Sequence, residues 1–169
     1  MDILLRVKFA ESHAVELLNS LALHNAHAIV AMQEAGTPIP LLYESGVVYE
    51  REEVETWSDI LYTIAAGKED CDALAAARAG ELVALGWRAL TPVDGGYEAA
   101  RRRRLDSIDA YVIVRTRRQK GQSGGLYHCI VEYRVGDLVY RDDPSARLGM
   151  NPTSRENPTG NRPIARLNT

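Results

Sequence analysis

An α+β domain is the fold class this sequence predicts, and three observations carry the prediction. Helical periodicity fills residues 13–85, a period near two takes over beyond residue 86, and 46% apolar with 25% charged residues is a globular balance. The 169 residues fit one domain, read as residues 1–144 followed by a polar, extended tail over 145–169. Apolar runs such as Ala26–Met32 fall far short of the ~20 residues that a membrane span needs. Residues 1–13 carry acids and no long apolar core, unlike a secretory signal. Two cysteines cannot build a disulfide framework, and the expected setting is reducing and cytoplasmic.

Asp2–Phe9 alternates loosely and is read as a strand. Ser12 precedes a helix from His13 to about Glu34, with Val15, Leu18, Leu21 or Ala22, His24 and Ala28 at three-to-four spacing. Gly36 stops it, and Pro38 and Pro40 impose an extended turn. Leu41–Glu50 reads as a loop or short strand bent at Gly46. A second helix is expected from about Glu52 to Ala66, with acids in its first turn and Val54, Trp57, Ile60, Leu61 and Ile64 as its apolar stripe. A third, alanine-rich helix runs from Cys71 to Leu85, with Asp70 as N-cap and Gly86 as terminator. Trp87–Leu90, Ile108–Thr116, Leu126–Val135 and Leu138–Arg141 read as strands, with Asp94–Arg104 and Gln119–Gly125 as connections. Gly136-Asp137 forms a two-residue hairpin turn.

The net charge of −3 conceals an asymmetry. Residues 1–100 hold 16 acids and 6 bases, whereas residues 101–169 hold 14 bases and 7 acids. The basic run Arg101–Arg104, continued by Arg115, Arg117, Arg118 and Lys120, reads as a solvated loop or a face that docks to a protein partner. Nucleic acid is disfavoured, because only Tyr97 and Tyr111 interleave with these bases and the pI is 5.8.

The chemistry centres on Cys71. A helix N-terminus favours a thiolate through the macrodipole, and its free amides can donate to an oxyanion. His128 lies on the strand Leu126–Val135. A two-residue turn pairs Val135 with Leu138, Tyr133 with Tyr140 and Ile130 with Asp143, which puts Asp143 on the His128 face and Asp142 on the other. A bulged turn would exchange the two aspartates. A carboxylate there would fix the imidazole tautomer and stabilise its protonated form.

The order Cys, His, Asp, with the sequences Gly67-Lys-Glu-Asp-Cys71-Asp-Ala-Leu, Leu82-Val-Ala-Leu-Gly86-Trp, Tyr127-His128-Cys129-Ile130-Val131-Glu132 and Tyr140-Arg141-Asp142-Asp143-Pro144, resembles the transglutaminase-like superfamily of papain-fold cysteine enzymes. The resemblance spans roughly residues 55–145. It implies a papain-like α+β fold, in which the nucleophile-bearing helix packs on an antiparallel sheet. Cys71 would then be the nucleophile, His128 the base and Asp143 the orienting carboxylate, acting on a protein or peptide substrate without a cofactor. Glu69, Asp70 and Asp72 depart from the pattern, since their charges oppose a thiolate unless His128 compensates. Trp57, Tyr62 and Asp70 are the candidates for an oxyanion or cleft role.

Other motifs are set aside. His24 and His27 sit at i and i+3, yet no nearby Cys, Asp or Glu completes a metal set, so no metal is expected. Cys129 alternates with His128, so it is read as structural and facing away, without a disulfide to Cys71. Gly121-Gln-Ser-Gly-Gly125 lacks the lysine and following helix of a phosphate loop. The expected activity is amide-bond hydrolysis or acyl transfer through a thioester on Cys71. The competing reading is a non-enzymatic assembly subunit, as in a phage-like particle, which keeps the fold for its shape and docks through residues 101–120 and the 145–169 tail.

Overall fold

The computed structural model describes residues 11–53, 56–87, 108–118, 125–150 and 165–166. The expected strand Asp2–Phe9, the loop Asp94–Arg104, the Arg101–Arg104 run, Val54 and most of the tail lie outside these residues, as do residues 88–90 of the expected strand Trp87–Leu90.

Helix α1 (Glu11–Glu34) is followed by a 3-10 turn, Leu42–Glu44, and a short strand, β1 (Val48–Tyr49). Then come α2 (Ile60–Ala66), β2 (Lys68–Glu69) and α3 (Cys71–Gly86). The second half comprises β3 (Ile108–Arg118), β4 (Gly125–Val135), β5 (Leu138–Asp142), the one-turn helix α4 (Pro144–Arg147) and β6 (Ala165–Arg166). Among the described residues β3, β4, β5 and β6 form an antiparallel meander in chain order, while β1 and β2 pair in parallel. Helices first and an antiparallel sheet after them is the predicted α+β layout.

Helix α3 is the central element. It is buried from Asp72 to Leu82, between α1 on one side and β3 and β4 on the other. A stripe at helical spacing, Leu74, Ala75, Leu82 and Leu85, is only part of what it buries, because a helix lined with alanine on every face can be covered on every face. Gly80 marks the closest approach to α1, where an added Cβ would stand 2.6 Å from Asn25 Cβ and 2.7 Å from the Ala22 carbonyl oxygen. Asp70 caps the helix, its side chain accepting from the Asp72 amide at 3.3 Å. Gly86, expected to end the helix, is its last residue, and Trp87 is the cap.

Helix α1 turns Leu18, Ala22, Ala26 and Ile29 into the core, one step round from the expected stripe, with His24 exposed. Asn19 fastens it to β3, accepting from the Val112 amide at 2.8 Å and donating to the Val112 carbonyl at 3.3 Å.

Helix α2 is shorter than the spacing predicts. It starts at Ile60 because Asp59 is its cap, accepting from the Tyr62 amide at 2.9 Å. The acids expected to open it at Glu52 do other work: Glu52 accepts from the Thr56 amide and hydroxyl at 3.0 and 2.6 Å. Trp57 precedes the helix, and Leu61 is exposed. Gly67 ends α2 at φ 72°, a left-handed conformation that costs glycine little, and turns the chain through β2 towards Cys71.

The β4–β5 hairpin has the predicted register, with Val135 opposite Leu138 and Tyr133 opposite Tyr140, whose rings stack at 5.1 Å. Gly136 occupies the turn at φ 58°. The ladder's last pair is Val131 with Asp142. Pro144 then opens α4, so the segment expected to be an extended tail begins as a helix with Pro144 and Ser145 buried. Leu148 packs into the second core cluster and its carbonyl accepts from the Tyr49 amide at 2.9 Å. The body of the protein thus runs past residue 144, and Ala165 and Arg166 of the expected tail pair with β5.

Inside lies a charge cluster the sequence reading passed over. Arg78 of α3 donates to Asp142 at 2.8 Å and to Glu81 at 2.9 Å, all three nearly inaccessible to solvent. Glu81 also accepts from the Leu42 amide. Tyr43 lies between two guanidinium groups, with Arg147 3.7 Å and Arg78 4.4 Å from its ring centroid. These contacts join α3, β5, α4 and the 3-10 turn in one network, which fixes the end of β5 beside the candidate site.

Candidate active site

Three elements deliver the three predicted residues to one place. Helix α3 begins at Cys71, β4 carries His128, and Asp143 follows β5 directly. Asp143 Oδ2 lies 2.8 Å from His128 Nε2, while its Oδ1 accepts from the Ala146 amide at 3.0 Å and so caps α4. Asp142, one residue earlier, points into the Arg78 cluster. The turn chemistry at Gly136-Asp137 thereby selects which aspartate meets the histidine.

Cys71 and the His128 ring each favour the other's charged form. Since Nε2 serves Asp143, Nδ1 is the nitrogen left for the thiol. It is buried and makes no hydrogen bond of standard geometry in the unliganded protein, a looseness common in free enzymes before substrate closes the site.

The electrostatics favour an ion pair. The Cys129 thiol is the largest influence on Cys71; with the His128 ring and the Cys129 amide it outweighs burial and the Asp70 charge, and lowers the Cys71 pKa to about 5 from an ordinary 9.0. Asp143 first, and Cys71 after it, raise His128 to about 9 from 6.5 against the cost of burial. At neutral pH the pair is therefore thiolate and imidazolium.

Cys129 does not fit the expectation that it faces away. It is buried and packs in the core cluster that Cys71 borders. The Cys71 thiolate, and then burial, push its own thiol far above the ordinary range. Cys129 shares its face of β4 with the alternate residues Val131, Tyr133 and Val135, and that is the face whose cluster Cys71 borders; alternation alone does not say which face of the strand meets α3.

The three oxyanion or cleft candidates fare differently. Trp57 is half-buried against the same cluster, and its indole N–H donates to Asp72 at 2.6 Å, next to the nucleophile. Asp70 is committed to capping α3, and a carboxylate there accepts hydrogen bonds where an oxyanion needs donors. Tyr62 is 65% exposed on α2 and is not among the residues packed around Cys71. Tyr49 was not anticipated. It sits on β1 opposite Glu69, and burial first, then the Cys71 and Asp70 charges, raise its pKa, so its phenol keeps its proton near the thiolate. No sequence motif marks it, because a two-residue parallel strand brings it there. Glu69 itself is buried, and burial followed by its hydrogen bond with Glu52 raises its pKa to about 7.

Among the described residues no cluster of three or more His, Cys, Asp or Glu could hold a metal ion, and no helix is long and apolar enough to cross a membrane. Comparison with protein-family models, curated proteins and solved structures found no match. The functional reading therefore rests on the site's own chemistry.

Proposed function

We propose that this chain is a transglutaminase-like cysteine enzyme of papain-like fold that hydrolyses an amide bond, or transfers its acyl group, through a thioester on Cys71. The observation that carries the reading is the Cys71–His128–Asp143 constellation, with Asp143 on His128 Nε2 at 2.8 Å and Cys71 among the groups that raise the pKa of the same ring. In this mechanism the Cys71 thiolate attacks the carbonyl carbon. The His128 imidazolium then protonates the departing amine, and the neutral ring takes a proton from the water or amine that resolves the thioester. Asp143 holds the ring in place and stabilises its charged form. The amides of Asp72, Ala73 and Leu74 find acceptors at Asp70 and Asp72, which leaves the Cys71 amide as a donor for the oxyanion. Tyr49 supplies a neutral hydroxyl nearby. The mechanism requires no cofactor, and the substrate class is a protein or peptide.

A p-nitrophenyl acetate burst tests the thioester step directly. The wild-type chain is expected to release about one equivalent of nitrophenol rapidly, before slower turnover. Cys71→Ala should abolish the burst, and adding an amine should divert the acetyl group if acyl transfer is the native step. A burst that survives Cys71→Ala overturns the reading and leaves the assembly role, which draws on the charge asymmetry alone.

A further inference from the structure

Arg78 is a charged side chain shut inside an alanine-rich helix, 5% exposed. Taking a guanidinium out of water is costly, and it persists only where partners hold it closely. Its partners come from four elements. Nε donates to Asp142 Oδ2 at 2.8 Å at the end of β5, and Nη1 donates to Glu81 Oε2 at 2.9 Å on α3 itself. The Tyr43 ring of the 3-10 turn lies 4.4 Å from the guanidinium, and Arg147 of α4 stands 3.8 Å from the other Asp142 oxygen. Two acids thus face two bases. The place of this cluster in the chain gives it a consequence for the site. Asp142 immediately precedes Asp143, which meets His128 Nε2 at 2.8 Å. Arg78 follows Cys71 at i and i+7, about two turns along the same face of α3.

We propose that Arg78 is a positioning residue of the active site: its guanidinium holds Asp142 and thereby sets the Asp143 carboxylate against His128, from the same helix that carries the nucleophile. The guanidinium is a rigid planar fork, so bonding Asp142 through one nitrogen and Glu81 through another fixes the end of β5 in both distance and direction relative to α3. Asp143 continues the extended backbone at φ −113° and ψ 92°. Side chains of successive extended residues point to opposite sides, so drawing Asp142 inward turns Asp143 outward to the imidazole. The Ala146 amide, 3.0 Å from Asp143 Oδ1, supplies the second hold. One helix therefore governs both the nucleophile, at its first residue, and the carboxylate that orients the base. A lysine at position 78 would keep the charge and lose the fork, because an ammonium is a point donor on a flexible stem. The catalytic consequence rests on the amide reading, whereas the alignment of Asp143 with His128 can be measured without it.

Arg78→Lys and Arg78→Met in the full chain test this, with thermal melts to establish folding, an NMR titration of His128 and the kinetics of p-nitrophenyl acetate turnover. In Arg78→Lys the His128 midpoint is expected to fall from about 9 towards 6.5, and kcat to fall about 100-fold with KM little changed, the cost of a misplacement of about 1 Å. In Arg78→Met the loss of a nearby cation would by itself move His128 upward, so a downward move there marks a displaced carboxylate. Arg78→Lys carries the test where Arg78→Met does not fold. Asp143→Asn is the control: once the carboxylate is gone, adding Arg78→Lys should cost no further loss of kcat. A His128 midpoint unchanged in Arg78→Lys, or losses that multiply in the double variant, overturns the proposal and leaves Arg78 a part of the core alone. The amide reading fails separately, through a burst that survives Cys71→Ala in a chain that keeps Arg78.

Discussion

His128 meets the Asp143 carboxylate through Nε2 and also feels the Cys71 thiol, and the two groups act on its proton in the same direction. Asp143 contributes the larger share, which makes the carboxylate more than an orienting group. Alkylation of Cys71 by iodoacetamide is expected to rise through about pH 5 and stay level across neutrality, because the thiolate is protonated only below that point. A more acidic thiolate is also a weaker nucleophile, so the midpoint of the profile is the diagnostic and the plateau rate is not. Ester or amide turnover, which needs the imidazolium as well, should follow a bell bounded by about 5 and about 9. Asp143→Asn removes the first support of the ring's charge and should pull the alkaline limb down towards 6.5 while moving the acid limb less. A wild-type alkylation midpoint near 9 at Cys71 would refute the ion pair.

Helix α3 shows how much of the site is local and how much is not. Its start is written in the chain: Gly67 ends one helix and Asp70 caps the next, so Cys71 at a helix N-terminus was legible from residue types alone. The same holds for the hairpin, where Gly136-Asp137 fixes a register that delivers Asp143 and not Asp142 to His128. What was not legible depends on neighbours distant in sequence. Arg78 and Glu81 look like solvent-facing charges on an alanine helix until Asp142 and the Leu42 amide arrive from elsewhere. Likewise nothing in local periodicity says which face of β4 will meet α3, and Cys129 lies with Val131 and Val135 on the face whose cluster Cys71 borders. Helix α2 was overextended because acids at residues 52–55 satisfy the first-turn rule as well as Asp59 satisfies the cap rule. Gly80 tests the close packing of α3 on α1. Glycine to alanine inside a helix ordinarily gains about 0.8–1 kcal/mol, but the new methyl would meet the Ala22 carbonyl, a backbone atom that cannot swing aside. Overpacking of this kind costs about 1–3 kcal/mol, so the steric term should win. Urea unfolding of Gly80→Ala is therefore expected to show net destabilisation of about 1–2 kcal/mol. A stabilised variant would mean that the two helices lie further apart.

The helical turn that follows β5 ties distant parts of the molecule together. Helix α4 is only four residues long, yet it holds β1 through the bond from the Tyr49 amide to the Leu148 carbonyl, stacks Arg147 on Tyr43, and gives Asp143 a second hydrogen bond. Asp143 holds the His128 ring and Tyr49 feels the Cys71 charge, so the segment after the sheet acts on the site through these two residues. A chain ended after Asp143 loses these contacts together with the buried Pro144 and Ser145. Hydrogen bonds of this kind are worth about 1 kcal/mol each and the lost apolar burial adds to them, giving a loss on the order of 3–5 kcal/mol. A chain ended after Met150 keeps all of them and, within the described residues, forgoes only the two-residue pairing of β6 with β5. Thermal melts of the two truncations should therefore differ sharply: cooperative unfolding for the longer, and a broad transition or none for the shorter. Equal melts would place the end of the folded body at the sheet and remove α4 from any part in the site.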